Sequence, residues 1–497
     1  MNTLSTITFL PVAGIILLLF INKENHRLLK GVTLVTALVN LILSIPLFLS
    51  FNGTSPAMQF VEKVPWIEEY GINYYVGIDG ISLFLVLLTT LLTSISVLAC
   101  WSDVKNRVKE FMICLLFLES GMVGVFISLD LFLFYCFWEV MLIPMYLLIG
   151  IWGSPARSIY AAVKFFIYTM VGSLLMLVAI LVLYFYNHQA TGIYTFNLLE
   201  LYTLNIPYNI QIWLFMAFAL AFAIKVPMFP FHTWLPDAHT EAPTVGSVLL
   251  AAVLLKMGTY GFLRFNLPLF PNASIDFIPI ISVLALIGII YGALVAMVQK
   301  DVKRLVAFSS VSHLGFVMLG LFTFTVQGIS GGILQMLNHG FSTGALFLIV
   351  GMIYERRHTR LIEEFGGLSK VMPVFATCFM IVTLSSIGLP GLNGFVGEFL
   401  ILLGTFKVNV TYAVIAALGV ILSAVYMLWM FQRVMFGAIT KEANKSLKDL
   451  SPRELIVLIP LILFIIQIGV YPKPYLSRME PTVKNLITFV QQKAGRY

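Results

Sequence analysis

LAFAIKVPMFPFHTWLPDAHTEAPTVGSVLLAAVLLKMGTYGFLRF, residues 220–265, decides how the chain is read, because it sets Lys225 and Lys256 inside runs that otherwise look like membrane spans. A charged lysine at the bilayer centre costs about 2.5–3.5 kcal/mol on insertion scales, so an intramembrane lysine points to function before structure. Pro227 and Pro230 follow Lys225 directly. Proline removes a backbone donor, so the first of the two runs is expected to break in its middle and to expose unpaired carbonyls.

Outward from this stretch the chain stays apolar, with 60% of its 497 residues hydrophobic and 11% charged, and a mean hydropathy of +0.96. Soluble globular domains carry about 25% charged residues. The composition therefore excludes one and implies an all-α polytopic membrane protein. Apolar runs of about 20 residues predict fourteen helices, near 3–21, 31–50, 80–100, 110–128, 131–150, 163–186, 210–230, 244–265, 276–298, 303–324, 328–353, 373–404, 410–432 and 454–472. The first run lacks a basic region before it and a small-residue cleavage site after it, and reads as a retained helix.

Lysines and arginines orient the bundle, since cytoplasmic loops carry the excess. Odd-numbered loops hold 20 of the 30 and even-numbered loops hold three, Lys63, Arg264 and Lys407. The asymmetry places both termini outside. The formal charge of +7 lies in these short loops, where it sets topology, so nucleic-acid binding is excluded. Cys100, Cys114, Cys136 and Cys378 are scattered without a CxxC pair, and read as packing residues rather than cluster or metal ligands. Neither a GxGxxG motif after a strand nor a P-loop is present, so nucleotide chemistry belongs to other chains.

Helices 4–8 and 9–13 form two blocks of five, and an odd block size makes the second enter the membrane from the opposite side. The expected organisation is three N-terminal helices in 1–109, a first repeat in 110–265, an inverted repeat in 276–432, and a last helix with a tail in 433–497. The fourth helix of each block is interrupted, by Pro227 and Pro230 in the seventh and by Pro390 between Gly388 and Gly391 in the twelfth. Lys225 precedes the first break and Glu398 follows the second. Paired broken helices mark binding sites in transporters.

Glu139 lies near the middle of the fifth helix. A lone buried carboxylate tends to gain a proton and a lone buried lysine to lose one, whereas paired they both stay charged. Breaking a Glu139–Lys225 pair would therefore release a proton. Lys256, His313 and His339 sit midway along the eighth, tenth and eleventh helices, and histidine titrates near neutrality. The order Glu139, Lys225, Lys256, His313, His339, Glu398 reads as a lateral polar path at membrane depth. Glu119 is assigned a supporting role, and His232 and His239 a loop or interface position where capping and structural hydrogen bonds compete with function. Asp130 and Asp79 are read as helix caps.

WEVMLIPMYLLIG, KVPMFPFHTWLPDAHTEAPTVGSVLLAAVLLKMGTYG, QKDVKRLVAFSSVSHLGFV and GLPGLNGFVGEF resemble the signatures of the antiporter-like M subunits of proton-pumping NADH:quinone oxidoreductase, respiratory complex I, the ND-four type of mitochondria. The resemblance covers essentially the whole chain. It implies fourteen helices, two inverted repeats and one proton channel, with Glu139, Lys225, Lys256 and Glu398 as the family's helix 5, 7, 8 and 12 residues. A glutamate rather than lysine at 398, and only about 25 residues after the last helix, set it apart from the similar L and N subunits. By the same resemblance this chain carries no cofactor, FMN, iron–sulfur clusters and quinone belong to partner subunits, L-like and N-like subunits flank it, and a bacterial inner membrane houses it. Subunits of multi-subunit cation/proton antiporters and of proton-pumping hydrogenases are similar in the same motifs and stand as alternatives.

Overall fold

The computed structural model describes residues 2–495. Short helical turns aside, its helices run as α1 (Thr3–Phe20), α2 (His26–Leu49), α3 (Leu83–Ala99), α4 (Val108–Ile127), α5 (Leu131–Val140), α6 (Leu142–Trp152), α7 (Ser158–Thr191), α8 (Tyr208–Lys225), α9 (Trp234–Glu241), α10 (Thr244–Leu269), α11 (Ile278–Met297), α12 (Val302–Leu321), α13 (Val326–Arg357), α14 (Pro373–Ser386), α15 (Asn393–Val408), α16 (Val410–Met435), α17 (Pro452–Val470) and α18 (Lys473–Lys493). Among the described residues, with α5 and α6 taken as one, twelve segments are long and apolar enough to cross a membrane, and α3 and α14 are shorter apolar helices.

The helices sort into a centre and a ring. α10 and α13 are buried along their length and α4 and α12 nearly so, while α1, α2, α7, α11, α16 and α17 turn half or more of their surface outward. The outward side chains are of the type of Ile42, Ile167, Ile421 and Leu463, as lipid contact requires. Polar groups on the central helices are thus shielded from the bilayer. Close packing at the centre depends on small residues: a Cβ added at Gly331 of α13 would stand 2.7 Å from Leu400 Cβ of α15.

One end of the bundle carries the basic loops, whose cations close helix C-termini where the last carbonyls have no partner in their own helix. Lys109 Nζ donates to the Leu19 and Ile21 carbonyls at 2.7 and 2.9 Å, and Lys30 Nζ to those of Trp101 and Val104 at 2.8 Å. Lys303 and Arg360 close α9, donating at 2.5 Å to the Ala242 and Thr240 carbonyls.

The other end carries two elements that hydropathy did not predict. Strands β1 (Gln59–Ile67) and β2 (Ile72–Ile78) form an antiparallel hairpin with Lys63 opposite Tyr75, and Glu62 of β1 caps α1 by accepting from Leu4 N at 2.8 Å. Beyond α17, where only a tail was expected, α18 buries Tyr475, Met479, Val483, Ile487 and Val490 against α13 and residues 267–276. The charged residues between these positions lower the average hydropathy and conceal the three-and-four spacing.

Asp130 caps α5, accepting at Oδ1 from Phe132 N (2.9 Å) and Leu133 N (3.1 Å) and at Oδ2 from Asn73 N (3.1 Å). Burial pushes its carboxyl up to about 6, against the pull of those three donors. Asp79 is more than a cap. Its Oδ1 accepts from Ile81 N and Ser82 N at 3.0 and 3.1 Å and also from Arg264 Nη2 at 2.6 Å. Arg264, counted above among loop residues, therefore points inward from the last turns of α10 and is 5% exposed.

Candidate functional site

Both expected breaks are present. α8 stops at Lys225, residues 226–233 turn, and α9 resumes at Trp234, whose indole Nε1 donates to the freed Ile224 carbonyl at 2.8 Å. Lys225 is thus the last residue of a helix, where a cation suits the dipole. The twelfth helix parts into α14 and α15 around residues 387–392. Gly388 there adopts φ +76°, a left-handed backbone that favours glycine.

Around Lys225 the expected ion pair is not formed. Its Nζ lies 3.5 Å from Met141 Sδ and over the rings of Trp138 and Phe165, at 5.4 and 5.5 Å from their centroids. Glu139, one residue from the end of α5, is half-buried and keeps Oε1 buried without a hydrogen-bond partner. Among the described residues no carboxylate oxygen reaches Lys225 within 4.0 Å. The lysine is held by aromatic faces, and the carboxylate it was expected to meet stands nearby with one buried oxygen unpartnered.

Lys256 is held differently. It sits in α10 between two π-helical turns, Leu250–Leu254 and Phe262–Asn266; such widened turns recur at functional sites. Its Nζ donates to the Ala251 carbonyl in the first of them at 2.6 Å and meets His339 Nδ1 at 2.6 Å. The His339 and His313 rings face each other edge-on with centroids 5.8 Å apart. His313 Nδ1 then meets Glu398 Oε1 at 2.9 Å, and the same oxygen accepts from Gln335 Nε2 at 3.0 Å. The order in space is Lys256, His339, His313, Glu398, so the two histidines are reversed relative to their order in the chain. Helices α12 and α13 run side by side, and sequence number along one says nothing of position relative to the other.

Sequence reasoning missed the residues that hold this row. Asn338 Nδ2 donates to Gln335 Oε1 at 3.1 Å and to the Asn393 carbonyl at 2.7 Å, and Ser385 Oγ donates to Asn393 Oδ1 at 2.5 Å, tying the α14–α15 break to α13. The signal was present in QMLNHG, where Gln335 and Asn338 precede His339 within a membrane-span-length helix.

The remaining candidates lie apart from the row. Glu119 of α4 accepts from Asn40 Nδ2 of α2 at 2.8 Å and keeps Oε2 buried and unpartnered. His232 packs between Phe229 and Tyr291 in the first break, with ring centroids at 5.7 and 5.1 Å. His239 is in α9, not a loop. It stacks on Phe347 of α13 at 4.7 Å, fully buried, with neither ring nitrogen hydrogen-bonded. A polar cleft of about 150 Å³, lined by Glu241, Lys303 and Arg360 among others, opens at this basic end. Among the described residues no three His, Cys, Asp or Glu side chains gather as a metal-binding group.

Chemically, Lys256, His339, His313 and Glu398 are four groups that can each take up and release a proton, buried to 4% exposure or less, with hydrogen bonds at the two ends of the row and ring contact between the histidines. They can pass charge without exposing it to lipid. The profile of the family described as NADH:quinone oxidoreductase/Mrp antiporter, TM, matches residues 128–426. The chain belongs to this family. The matched stretch runs from the turn before α5 into α16, so it contains Glu139, Lys225, the whole Lys256–Glu398 row and both breaks, and leaves Glu119 outside. Among family members, the NADH-quinone oxidoreductase subunit M of Rhodobacter capsulatus is 47% identical, over 98% of this chain and 96% of its own length. The NADH-ubiquinone oxidoreductase chain 4 of Marchantia polymorpha is 46% identical, over 98% and 97%. A chain of respiratory complex I from Thermus thermophilus with bound NADH superposes with a TM-score of 0.89 at 33% identity, over 99% of this chain and all of that one.

Proposed function

We propose that this chain is a proton-translocating membrane subunit of NADH:quinone oxidoreductase. In this reading quinone reduction in other subunits drives a proton from the cytoplasm to the outside along Lys225, Lys256, His339, His313 and Glu398. The observation that carries it is the buried row from Lys256 to Glu398, a line of exchangeable protons across the bundle that a packing role does not require. Glu139 and Lys225 act as the switch: approach of the lysine to the carboxylate holds its proton, and withdrawal to the aromatic faces of Trp138 and Phe165 releases it. Uptake runs from the basic-end cleft past His239 of α9, whose two ring nitrogens are free of hydrogen bonds.

The rest of the reading follows the relatives. FMN, iron–sulfur clusters and quinone sit in partner subunits, L-like and N-like subunits flank this one, and the membrane is the bacterial inner membrane with both termini outside. The twelve long spans are brought to fourteen by α3 and the α14–α15 pair, and ten of the fourteen form two inverted five-helix repeats in residues 110–265 and 276–432. The matched breaks at α8–α9 and α14–α15 support that division.

The test is the purified assembly. Copurified flavin with iron and acid-labile sulfide is expected, and Lys225→Ala or Glu139→Gln should assemble, yet lose proton pumping when the complex is reconstituted in liposomes. A cofactor-free assembly would move the chain to the cation/proton antiporters, and nickel with iron–sulfur to the hydrogenases. Normal pumping by Lys225→Ala would remove the switch.

A further inference from the structure

α10 carries a second polar line that the path above does not use. Lys256, Tyr260 and Arg264 are spaced four residues apart, so they share a face of the helix, and at 1.5 Å per residue they cover about 12 Å. That line runs from the row toward the hairpin end. Arg264 Nε donates to Tyr260 Oη at 3.1 Å, Tyr260 Oη donates to the Phe126 carbonyl at 2.9 Å, and Tyr202 Oη donates to the Arg264 carbonyl at 2.6 Å. Arg264 Nη2 meets Asp79 Oδ1 at 2.6 Å, while Asp79 Oδ2 is buried without a partner. Beyond the pair lies a cavity of about 440 Å³, lined by Asp79, Tyr202, Arg264, Thr482 and Phe489 among others. α18 covers it, with Thr482 Oγ1 accepting from Gly80 N at 3.1 Å and Lys493 Nζ donating to the Tyr202 carbonyl.

Without a barrier, a proton on Lys256 could move along this face, past the Tyr260 hydroxyl, into the cavity at the hairpin end. A pump that leaked here would do no work. We propose that the buried Arg264–Asp79 pair is an electrostatic seal that closes this short exit and obliges protons to leave through His339, His313 and Glu398; the proposal rests on Lys256 being a member of the proton path. Arginine suits the task because its guanidinium does not deprotonate in proteins, so it cannot relay a proton, and a fixed cation repels one. Asp79 supplies the opposite charge that lets the cation stay in a dry place, and its removal leaves that cation uncompensated. A buried ion pair adds little to stability compared with packed apolar residues, so stability alone is a weak reason for this one.

The experiment reads leak without turnover. The whole complex is reconstituted in liposomes, inhibited at the quinone site, and given a potassium gradient with valinomycin while a trapped dye reports internal pH. Removing a unit charge about 12 Å from Lys256 at an effective dielectric of 20 corresponds to about a tenfold change in rate. Arg264→Gln should therefore raise passive proton entry about tenfold, Asp79→Asn, which leaves the cation uncompensated, should not raise it, and Lys256→Met combined with Arg264→Gln should restore wild-type tightness. Assembled Arg264→Gln complex as tight as wild type overturns the seal, whether its pumping survives or is lost. So does a leak that persists with Lys256→Met. Failure of both single variants to assemble makes the pair a folding clamp and overturns it too. Normal pumping by Lys225→Ala would instead count against the translocation reading, and the passive assay is blind to that.

Discussion

Replacing Glu398 by glutamine tests whether the row works as one unit. The substitution keeps size and shape, and the bond from Gln335 Nε2, now 3.0 Å, survives at the amide oxygen. What is lost is the carboxyl group that His313 Nδ1 meets at 2.9 Å, which is the acid at that end of the row. A hydrogen bond to a charged group contributes about 1.5–3 kcal/mol. If that interaction stabilises the state in which the proton reaches the end of the row, its loss slows transfer about 10- to 150-fold, at 1.36 kcal/mol per factor of ten. Protons moved per NADH oxidised, measured in liposomes, should then fall to the share carried by other subunits. His313→Gln should show the same defect, and the double variant should be no worse than either single one, because groups that act together are not additive. A double variant whose loss is the product of the single losses would separate His313 from Glu398. Normal stoichiometry in Glu398→Gln alone would remove the carboxylate from the path.

Two further outcomes follow from geometry. Gly388→Ala places a side chain on a left-handed backbone, at a cost of about 1–2 kcal/mol, and its Cβ would stand 3.2 Å from Glu398 Oε2; assembled complex with slowed pumping is expected, and wild-type pumping would show that the break tolerates the shift. Arg356, partly buried, grips Glu454 through two bonds, Nη1–Oε1 at 2.6 Å and Nη2–Oε2 at 2.8 Å, and a hydrogen bond to a charged group contributes about 1.5–3 kcal/mol. Arg356→Ala should lower the temperature at which the complex loses NADH:quinone activity while leaving the rate at growth temperature unchanged, and superimposable inactivation curves would refute the clamp.

The two breaks and the buried lysines were legible because each breaks a local rule: a proline within an apolar run, a cation where hydrocarbon is expected. Four things were not. The partnership of His339 with Lys256 and of His313 with Glu398 depends on how α12 and α13 slide against α10 and α15, and no periodicity within one helix encodes a neighbour's register. Arg264 sits where a long side chain could reach water or turn inward, and only the presence of Asp79 across the interface decides for the interior. The hairpin and α18 lie on the end of the bundle, half apolar and half polar, so a window tuned to span-length apolar runs passes over both. The π-helical turns around Lys256 left no mark in residue type, since LAAVL and FLRFN are acceptable in an ordinary helix.

The two lysines are held so unequally that they cannot share a role. Lys256 is fixed by a backbone carbonyl and an imidazole at 2.6 Å each, whereas Lys225 rests on two aromatic faces and a thioether. A cation over an aromatic ring gains about 0.5–2 kcal/mol, less than the pull of a bare carboxylate at contact distance in the same dry surroundings. Lys225 is therefore the group with somewhere else to go, and Glu139, with a buried oxygen unclaimed, is the place. No hydrogen bond among the described residues joins Lys225 to the row that begins at Lys256. In the proposed function, movement of Lys225 toward Glu139 would change the field felt by Lys256 without moving the row. A loose lysine beside a rigid row is what a switch and a wire require, and exchanging their holds would leave neither.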